Sequence, residues 1–130
     1  MDISSLSFWS FLSLLAGLAS NMAYNEALTL RVRELLAHIP NVEEKKMFGS
    51  IGFIVNGKLC LGVGDHADHN MMVRVGPEHY EKALSRPGAA PALMRGREYP
   101  GYVFLLSEAI AKQKDLQYWV DLALNYNKKL

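Results

Sequence analysis

The chain has 130 residues, a length that fits one domain with a single hydrophobic core. Half of the residues are hydrophobic and 21% are charged, which is typical of a globular protein and excludes an intrinsically disordered one. The net charge of +1 excludes a strong overall bias toward nucleic acid or anionic membranes. Because Cys60 is the single cysteine, the sequence excludes an intramolecular disulfide and fits the reducing cytoplasm best.

Residues 1–21 are predicted to be a separate N-terminal extension. Residues 6–19 carry no charge, but this stretch is shorter than the ~20 residues of a transmembrane helix. A signal peptide begins with basic residues, whereas the only charge in this extension is Asp2. Three interpretations remain open: a start codon placed too early, a helix packed on the body of the protein, or a targeting or anchoring segment. Residues 22–130 are expected to form the single domain.

The domain is predicted to open with a helix and an edge strand. Apolar residues recur at helical spacing over residues 24–38, and Pro40 ends the helix because it disfavours the α conformation of Ile39. Residues 42–48 have the composition of a strand. The charges at its start, from Glu43 to Lys46, are typical of a strand at the edge of a sheet.

Asn56-Gly57 predicts a tight β-hairpin between strands at residues 51–55 and 58–63. Both turn residues tolerate the positive φ angles of a type I′ turn. The expected pairs are Val55–Lys58, Ile54–Leu59, Phe53–Cys60 and Gly52–Leu61. One face would then carry Ile54, Leu59 and Leu61, and the other Ile51, Phe53 and Cys60. Since both faces are apolar, the face with Phe53 needs a cover: a helix, the N-terminal segment or another subunit.

The rest of the chain completes an α+β pattern. We expect a polar turn at residues 64–70, a strand at 71–75, a short helix from Pro77 to Leu84, and a long loop at 85–101. A fifth strand at 102–106 and a final helix capped by Asp115 follow. Short turns between strands favour a two-layer fold with a mainly antiparallel five-stranded sheet flanked by helices.

Several segments of the domain resemble the N-terminal domain of the TfoX/Sxy family, known for regulators of bacterial competence. The matching segments are 33–39 with Met47-Phe48-Gly49, Gly52-Phe53 before the hairpin, Met72 to Val75, and Asp115-Leu116 with Trp119-Val120 and Ala123-Leu124. The resemblance covers residues 24–128. It departs at Ser50, where the family often has a second glycine, and the chain ends without the helical second domain of the two-domain competence regulators.

The resemblance implies a fold shared with YjbR-type proteins and secretion chaperones. It also implies a stand-alone, non-enzymatic module of the cytoplasm that binds protein partners and regulates transcription, although a role in competence does not follow without the second domain. We expect a homodimer that covers the second apolar face of the sheet, the face with Phe53. The residues themselves contain no recognisable catalytic motif, so no catalytic residue and no cofactor is expected.

Four arginines are candidates for contact with nucleic acid: Arg74, Arg86, Arg95 and Arg97. Arg95-Gly96-Arg97 lies in the predicted loop with Tyr99 nearby, and arginine beside an aromatic ring suits phosphate and base. The alternative interpretation is a solvated loop with one structural arginine. Arg74, inside an apolar strand, would then lie at an edge or pair with a carboxylate such as Glu98.

His66 and His69 are weak candidates for a metal site. Asp65 precedes His66, Asp68 precedes His69, and His79 in the next helix could join them. Histidine and aspartate are good zinc ligands, but a site needs three or four of them in fixed geometry. The alternative is a solvated hairpin turn, where Asp is favoured for local hydrogen bonds. We therefore expect no metal, and a metal-dependent enzyme is the less favoured functional interpretation.

Overall fold

The computed structural model describes residues 25–47 and 49–130. Predictions for the N-terminal extension, Tyr24 and Phe48 lie outside the described residues. The helices are α1 (Glu26–Leu36), α2 (Tyr80–Leu84), α3 (Ser107–Ile110) and α4 (Gln113–Asn127), and a short 3-10 turn at Pro77–His79 precedes α2. The strands are β1 (Val42–Met47), β2 (Ser50–Val55), β3 (Lys58–His66), β4 (His69–Arg74), β5 (Ala89–Met94) and β6 (Arg97–Leu105).

The six strands form one antiparallel sheet in the order β1-β2-β3-β4-β6-β5. The predicted α+β architecture is confirmed, with one strand more than expected. Within the described part of the chain, no helix is both long enough and apolar enough to cross a membrane.

The helix boundaries follow local capping chemistry. α1 begins after Asn25, whose side-chain oxygen accepts a hydrogen bond from the Leu28 backbone N–H at 3.0 Å. The prediction that Asp115 caps the last helix is wrong, because Lys112 occupies that position and makes no side-chain cap. Asp115 lies in the first turn of α4, where its negative charge still complements the helix dipole.

The Asn56-Gly57 hairpin forms as predicted, with φ angles of 53° and 80°. Val55 pairs with Lys58, and Ile54 with Leu59, as expected. A β-bulge then leaves Cys60 unpaired, so Phe53 lies opposite Leu61 instead of Cys60, and Gly52 opposite Gly62 instead of Leu61. Leu61 therefore moves to the same face as Phe53, because one extra residue reverses the alternation of a strand.

The hydrophobic core lies between one face of the sheet and the helices. All four helices contribute to it, through residues such as Val32, Ala83, Ile110 and Trp119. We call this side of the sheet the helix-covered face; its strand residues include Phe53, Leu61, Val63, Met71, Val73, Val103 and Leu105. The cover of Phe53 is thus helical, and the expectation that a homodimer covers this face is wrong, because helices of the same chain already pack on it. The opposite side, the outer face, carries the intervening residues, and no helix within residues 25–47 and 49–130 lies in a layer over it.

Residues 85–101 do not form the predicted loop. They contain β5, the turn Arg95-Gly96 and the first half of β6, which pairs with β5. Arg95 and Gly96 have φ angles of 56° and 75°, the same left-handed pair as in the first hairpin. Ala, Gly and Pro are poor strand formers, and Arg-Gly is not a usual turn signal, which explains why the sequence pattern indicates a loop.

Both edges of the sheet carry features that disfavour further pairing. β1 forms one edge, as predicted, and its charges include Glu44, which accepts two hydrogen bonds from Arg33 at 2.6 and 2.8 Å. These hydrogen bonds hold the pKa of Glu44 below its usual value. β5 forms the other edge, and Pro91 near its middle has no N–H to donate. The exposed strand edges are therefore poor templates for another strand.

Candidate binding surfaces

The tip of the β5–β6 hairpin is the most exposed part of the sheet. Residues 95–100 are all exposed, and the Leu93 side chain opposite them is 55% exposed. Arg95 lies in the turn, Arg97 begins β6 directly after it, and Tyr99 follows in β6 with 37% of its surface exposed. The structure thus brings two of the four candidate arginines to one projecting tip, beside an accessible aromatic ring.

Arg74 ends β4 close to the base of the same hairpin. It pairs in the sheet with Tyr102, and its guanidinium carbon lies 5.4 Å from the Tyr102 ring centre and 5.7 Å from that of Tyr126. It also approaches the carbonyl oxygen of Leu59 at 3.5 Å. The expected pairing with Glu98 is not among its contacts. Arg74 is instead a half-buried cation between two tyrosine rings.

Arg86 faces a different part of the molecule. Its guanidinium carbon lies 3.7 Å from the centre of the Tyr118 ring, and its terminal nitrogen is 3.6 Å from the carboxylate of Asp115. Both partners belong to α4. This arginine joins the segment after α2 to the last helix, a structural contact that the sequence does not indicate for Arg86.

His66 and His69 form a stack of rings. They are the last residue of β3 and the first of β4, so the polar turn predicted at residues 64–70 is shortened to Ala67-Asp68. The His66 and His69 ring centres are 4.6 Å apart, and His69 lies 3.7 Å from the ring of Phe104. Burial lowers the pKa of His69, an effect partly offset by the hydrogen bond to Asp68 at 2.7 Å. Within residues 25–47 and 49–130, no three His, Cys, Asp or Glu side chains are grouped as metal ligands. The stack is better suited to packing than to metal binding.

Ser50 is a contact of this stack that the sequence does not indicate. Its hydroxyl lies 2.7 Å from Nε2 of His66, the distance of a hydrogen bond. A serine nucleophile needs a histidine that a third group orients. Here the carboxylate of Asp68 contacts His69, not the histidine beside the serine. The contact therefore joins the start of β2 to the end of β3, and it lacks the connectivity of a catalytic triad.

Cys60 is buried at the bulge of β3, as the sequence predicts for a small hydrophobic residue. Its side chain is 1% exposed, and burial raises the pKa of its thiol to about 12 although the nearby charge of Arg74 opposes the increase. The thiolate is the reactive form of cysteine. Cys60 is accordingly a packing residue.

The recesses of the surface lie elsewhere. One of about 350 Å³ is lined by Asn41, Glu43, Asn56 and Gly57, beside the first hairpin turn. A second of about 270 Å³ is lined by Glu26, Thr29, Leu30 and Arg33 on α1. Both are open, and neither contains a candidate arginine or histidine.

Residues 34–126 match the family profile of the TfoX N-terminal domain. The match runs from the second half of α1 to the end of α4 and covers most of the chain. The chain belongs to the TfoX N-terminal domain family. This confirms the resemblance found in the sequence. No curated protein matches the chain.

The TfoX N-terminal domain family is not a known enzyme family. In this TfoX N-terminal domain, Arg86 and the histidine stack contact other side chains of the same domain. We therefore assign them a role in packing. The surfaces that differ from an ordinary solvated exterior are the outer face of the sheet and the tip of the second hairpin. They are the candidates for binding.

Proposed function

We propose that the chain is a small, non-enzymatic regulatory module that acts by binding proteins, and that a second copy of the chain is one of its partners. Membership of the TfoX N-terminal domain family supports the regulatory part. The observation that carries the proposal is the outer face of the sheet. It presents apolar side chains on the side opposite the described helices.

The centre of the outer face is apolar and nearly flat. Ile54 on β2 and its partner Leu59 on β3 are half-buried, as is Met72 on β4. Gly52 pairs with Gly62, and Gly62 with Met72, so the middle of this face carries two adjacent positions without side chains. A Cβ added to Gly62 would meet only the carbonyl oxygen of Ile51 among described atoms, at 3.5 Å. Both glycines are themselves buried, so another chain would meet mainly the side chains of Ile54, Leu59 and Met72.

A second copy fits this face by symmetry. Consider a two-fold axis that runs parallel to the strands and passes between β2 and β3. It would place Gly52 of each copy over Gly62 of the other copy. It would also lay the aliphatic stem of Lys45 over Met72, because these residues occupy the same row of the sheet. Such an isologous contact buries the same patch on both copies.

The overlapping part of the outer face is large enough for a weak dimer. With the axis between β2 and β3, four strands of each copy overlap. Four strands spaced by ~4.8 Å and about six residues long at ~3.3 Å each give a patch of about 380 Å². Two such patches bury about 760 Å², which is the size of a transient interface and below the ~1,200 Å² of stable ones. We therefore expect a weak dimer, with a micromolar or higher dissociation constant.

Light scattering of the full chain over a range of concentrations tests the dimer. We expect a mass of two chains at the highest concentrations. Met72→Lys should give a mass of one chain, since it places a charge in the apolar centre of the contact. Leu30→Glu is the matched control, because Leu30 on α1 is 56% exposed and lies away from the outer face.

A mass of one chain for the unsubstituted protein at every concentration would contradict the dimer. Residues 1–21, or a different protein, would then remain as occupants of the outer face. An equal loss of dimer in Met72→Lys and in Leu30→Glu would also contradict it, because the contact would then not depend on the outer face.

A further inference from the structure

Three arginines and two tyrosines form a strip along the second hairpin and its base. It consists of Arg74, Arg95, Arg97, Tyr99 and Tyr102, and we call it the arginine–tyrosine strip. We propose that this strip binds a single strand of nucleic acid, with the arginines contacting phosphates and the tyrosines stacking on unpaired bases. The proposal does not require the dimer. Four of the five residues lie on β6 or in its turn, outside the four strands that the dimer would overlay, and only Arg74, at the end of β4, lies on one of those strands.

The arrangement of β6 separates the arginines from the nearest acidic residue. Arg97 and Tyr99 are two positions apart in a strand, so they lie on the same side, and Glu98 between them lies on the other. The Glu98 charge acts on Tyr80 of α2, where it adds to burial in raising the pKa of that tyrosine. Glu98 thus lies on the side of the hairpin opposite to Arg97 and Tyr99.

Ring contacts connect the tip of the hairpin to Arg74. Tyr99 and Tyr102 meet edge to face, with ring centres 6.4 Å apart and an interplanar angle of 89°. Arg74 lies beyond, 5.4 Å from the Tyr102 ring centre. In the described chain, no carboxylate lies within 4 Å of Arg74 to form an ion pair. Its positive charge is therefore available to an anion from outside.

Turn geometry alone does not explain the arginine at position 95. Its φ of 56° is left-handed, a conformation that asparagine and glycine adopt more readily. The first hairpin uses asparagine at the equivalent position, Asn56, with a φ of 53°. An arginine at the most projecting point of the sheet adds charge to the surface, which favours contact with phosphate.

The chemistry of the strip favours single strands over duplexes. A tyrosine ring at the surface can stack only on a base whose face is free, as in an unpaired strand. Three arginines and a net charge of +1 for the chain predict modest affinity with a clear dependence on salt. For about three phosphate contacts, the logarithm of the binding constant should fall with the logarithm of salt concentration at a slope of about −2.

Fluorescence anisotropy with labelled oligonucleotides of about 15 residues, oligo(dT) and oligo(U), tests the proposal with the full chain. We compare the unsubstituted chain with Arg95→Asn plus Arg97→Gln, in which Asn-Gly preserves the turn. The double variant should bind about tenfold more weakly at low salt, and its salt slope should fall toward about −0.7.

Lys112→Gln plus Lys114→Gln is the matched control, since it removes the same charge from exposed residues. These lysines follow the far end of β6, whose nine residues span about 30 Å. The control should bind as the unsubstituted chain does. An equal loss in both double variants would overturn the proposal, because binding would then reflect net charge and not the strip.

Tyr99 provides a second variant that leaves the charge intact. Tyr99→Leu should weaken binding about tenfold, whereas Tyr99→Phe, which keeps the ring, should retain it. No binding by the intact chain at low salt overturns the proposal, whatever its mass in solution. A duplex of equal length that binds as tightly as the single strand, with no effect of Tyr99→Leu, also overturns it.

Discussion

Asn127, in the last turn of α4, donates a hydrogen bond from its side-chain nitrogen to the carbonyl oxygen of Val55, at 3.1 Å. The asparagine is 5% exposed, and Val55 is the last residue of β2 before the first hairpin turn. This buried bond ties the end of the last helix to the end of the second strand, residues that are far apart in the sequence.

Replacing Asn127 with alanine should therefore destabilise the domain. The substitution removes one buried hydrogen bond to the Val55 carbonyl, which costs about 0.5–1.5 kcal/mol. Urea unfolding followed by circular dichroism measures the difference. Asn125→Ala is the control, since Asn125 is exposed on the same helix, and it should change the free energy of unfolding by less than about 0.5 kcal/mol. Equal effects of the two substitutions would contradict the role of the bond.

Arg86→Ala should lower the free energy of unfolding by about 1–2 kcal/mol, because it removes the stacking on Tyr118 and the contact with Asp115. Arg86→Lys keeps the charge but not the planar group, so it should restore only part of the stability. Thermal unfolding measures both variants. Neither should alter oligonucleotide binding, and a loss of binding in a stably folded Arg86→Lys protein would place Arg86 in the nucleic-acid site instead.

The histidine stack predicts a dependence of stability on pH. The pKa of His69 is lowered in the folded protein, mainly by burial, while its unfolded value is about 6.5. Between these two pKa values the unfolded state binds more protons, so the free energy of unfolding rises with pH there. This stability is complete above about pH 7.5 and is lost as pH falls through about 6.5 and below.

Urea unfolding at a series of pH values measures this dependence. His69→Asn should flatten the part of the curve that falls in this window. His38→Asn is the control, because His38 is exposed outside the stack, and it should leave the curve unchanged. A curve that retains its full slope in His69→Asn would assign the effect to other groups.

Cys60 should resist thiol reagents in the native state. With a thiol pKa of about 12 and a side chain that is 1% exposed, almost no accessible thiolate exists near pH 8. In the native protein, a colorimetric disulfide reagent should therefore react with Cys60 only as fast as the domain opens. In denaturant, it should react at the rate of a free thiol. Rapid reaction of the native protein would show that the bulge opens locally.

Local chemistry explains which parts of the fold the sequence predicts. Asn56-Gly57 specifies its turn within two residues, so the first hairpin and its first pairs are predictable. The bulge at Cys60 is not, because it depends on how β3 pairs with both of its neighbours. β5 is not predictable from the sequence, because Pro91 and the small residues around it have low strand propensity. Its pairing with β6 comes from tertiary context.

The candidate arginines also differ in how far the sequence predicts their surroundings. Arg95 and Arg97 are neighbours in sequence, so their common location was predictable. The partners of Arg86 and Arg74 were not, because Tyr118 and Tyr126 lie on a helix that joins the sheet only in the folded chain. The composition around a residue indicates its chemistry, whereas the choice between a structural and a binding role depends on such long-range contacts.

The protected edges of the sheet limit how this protein can assemble. With charges along β1 and Pro91 in β5, growth by adding strand to strand is disfavoured at both ends. Association through the outer face buries the same β1–β4 patch on both copies, so neither copy has that patch free for a third. Assembly is therefore expected to stop at a closed pair, and concentrated solutions should stay free of fibres.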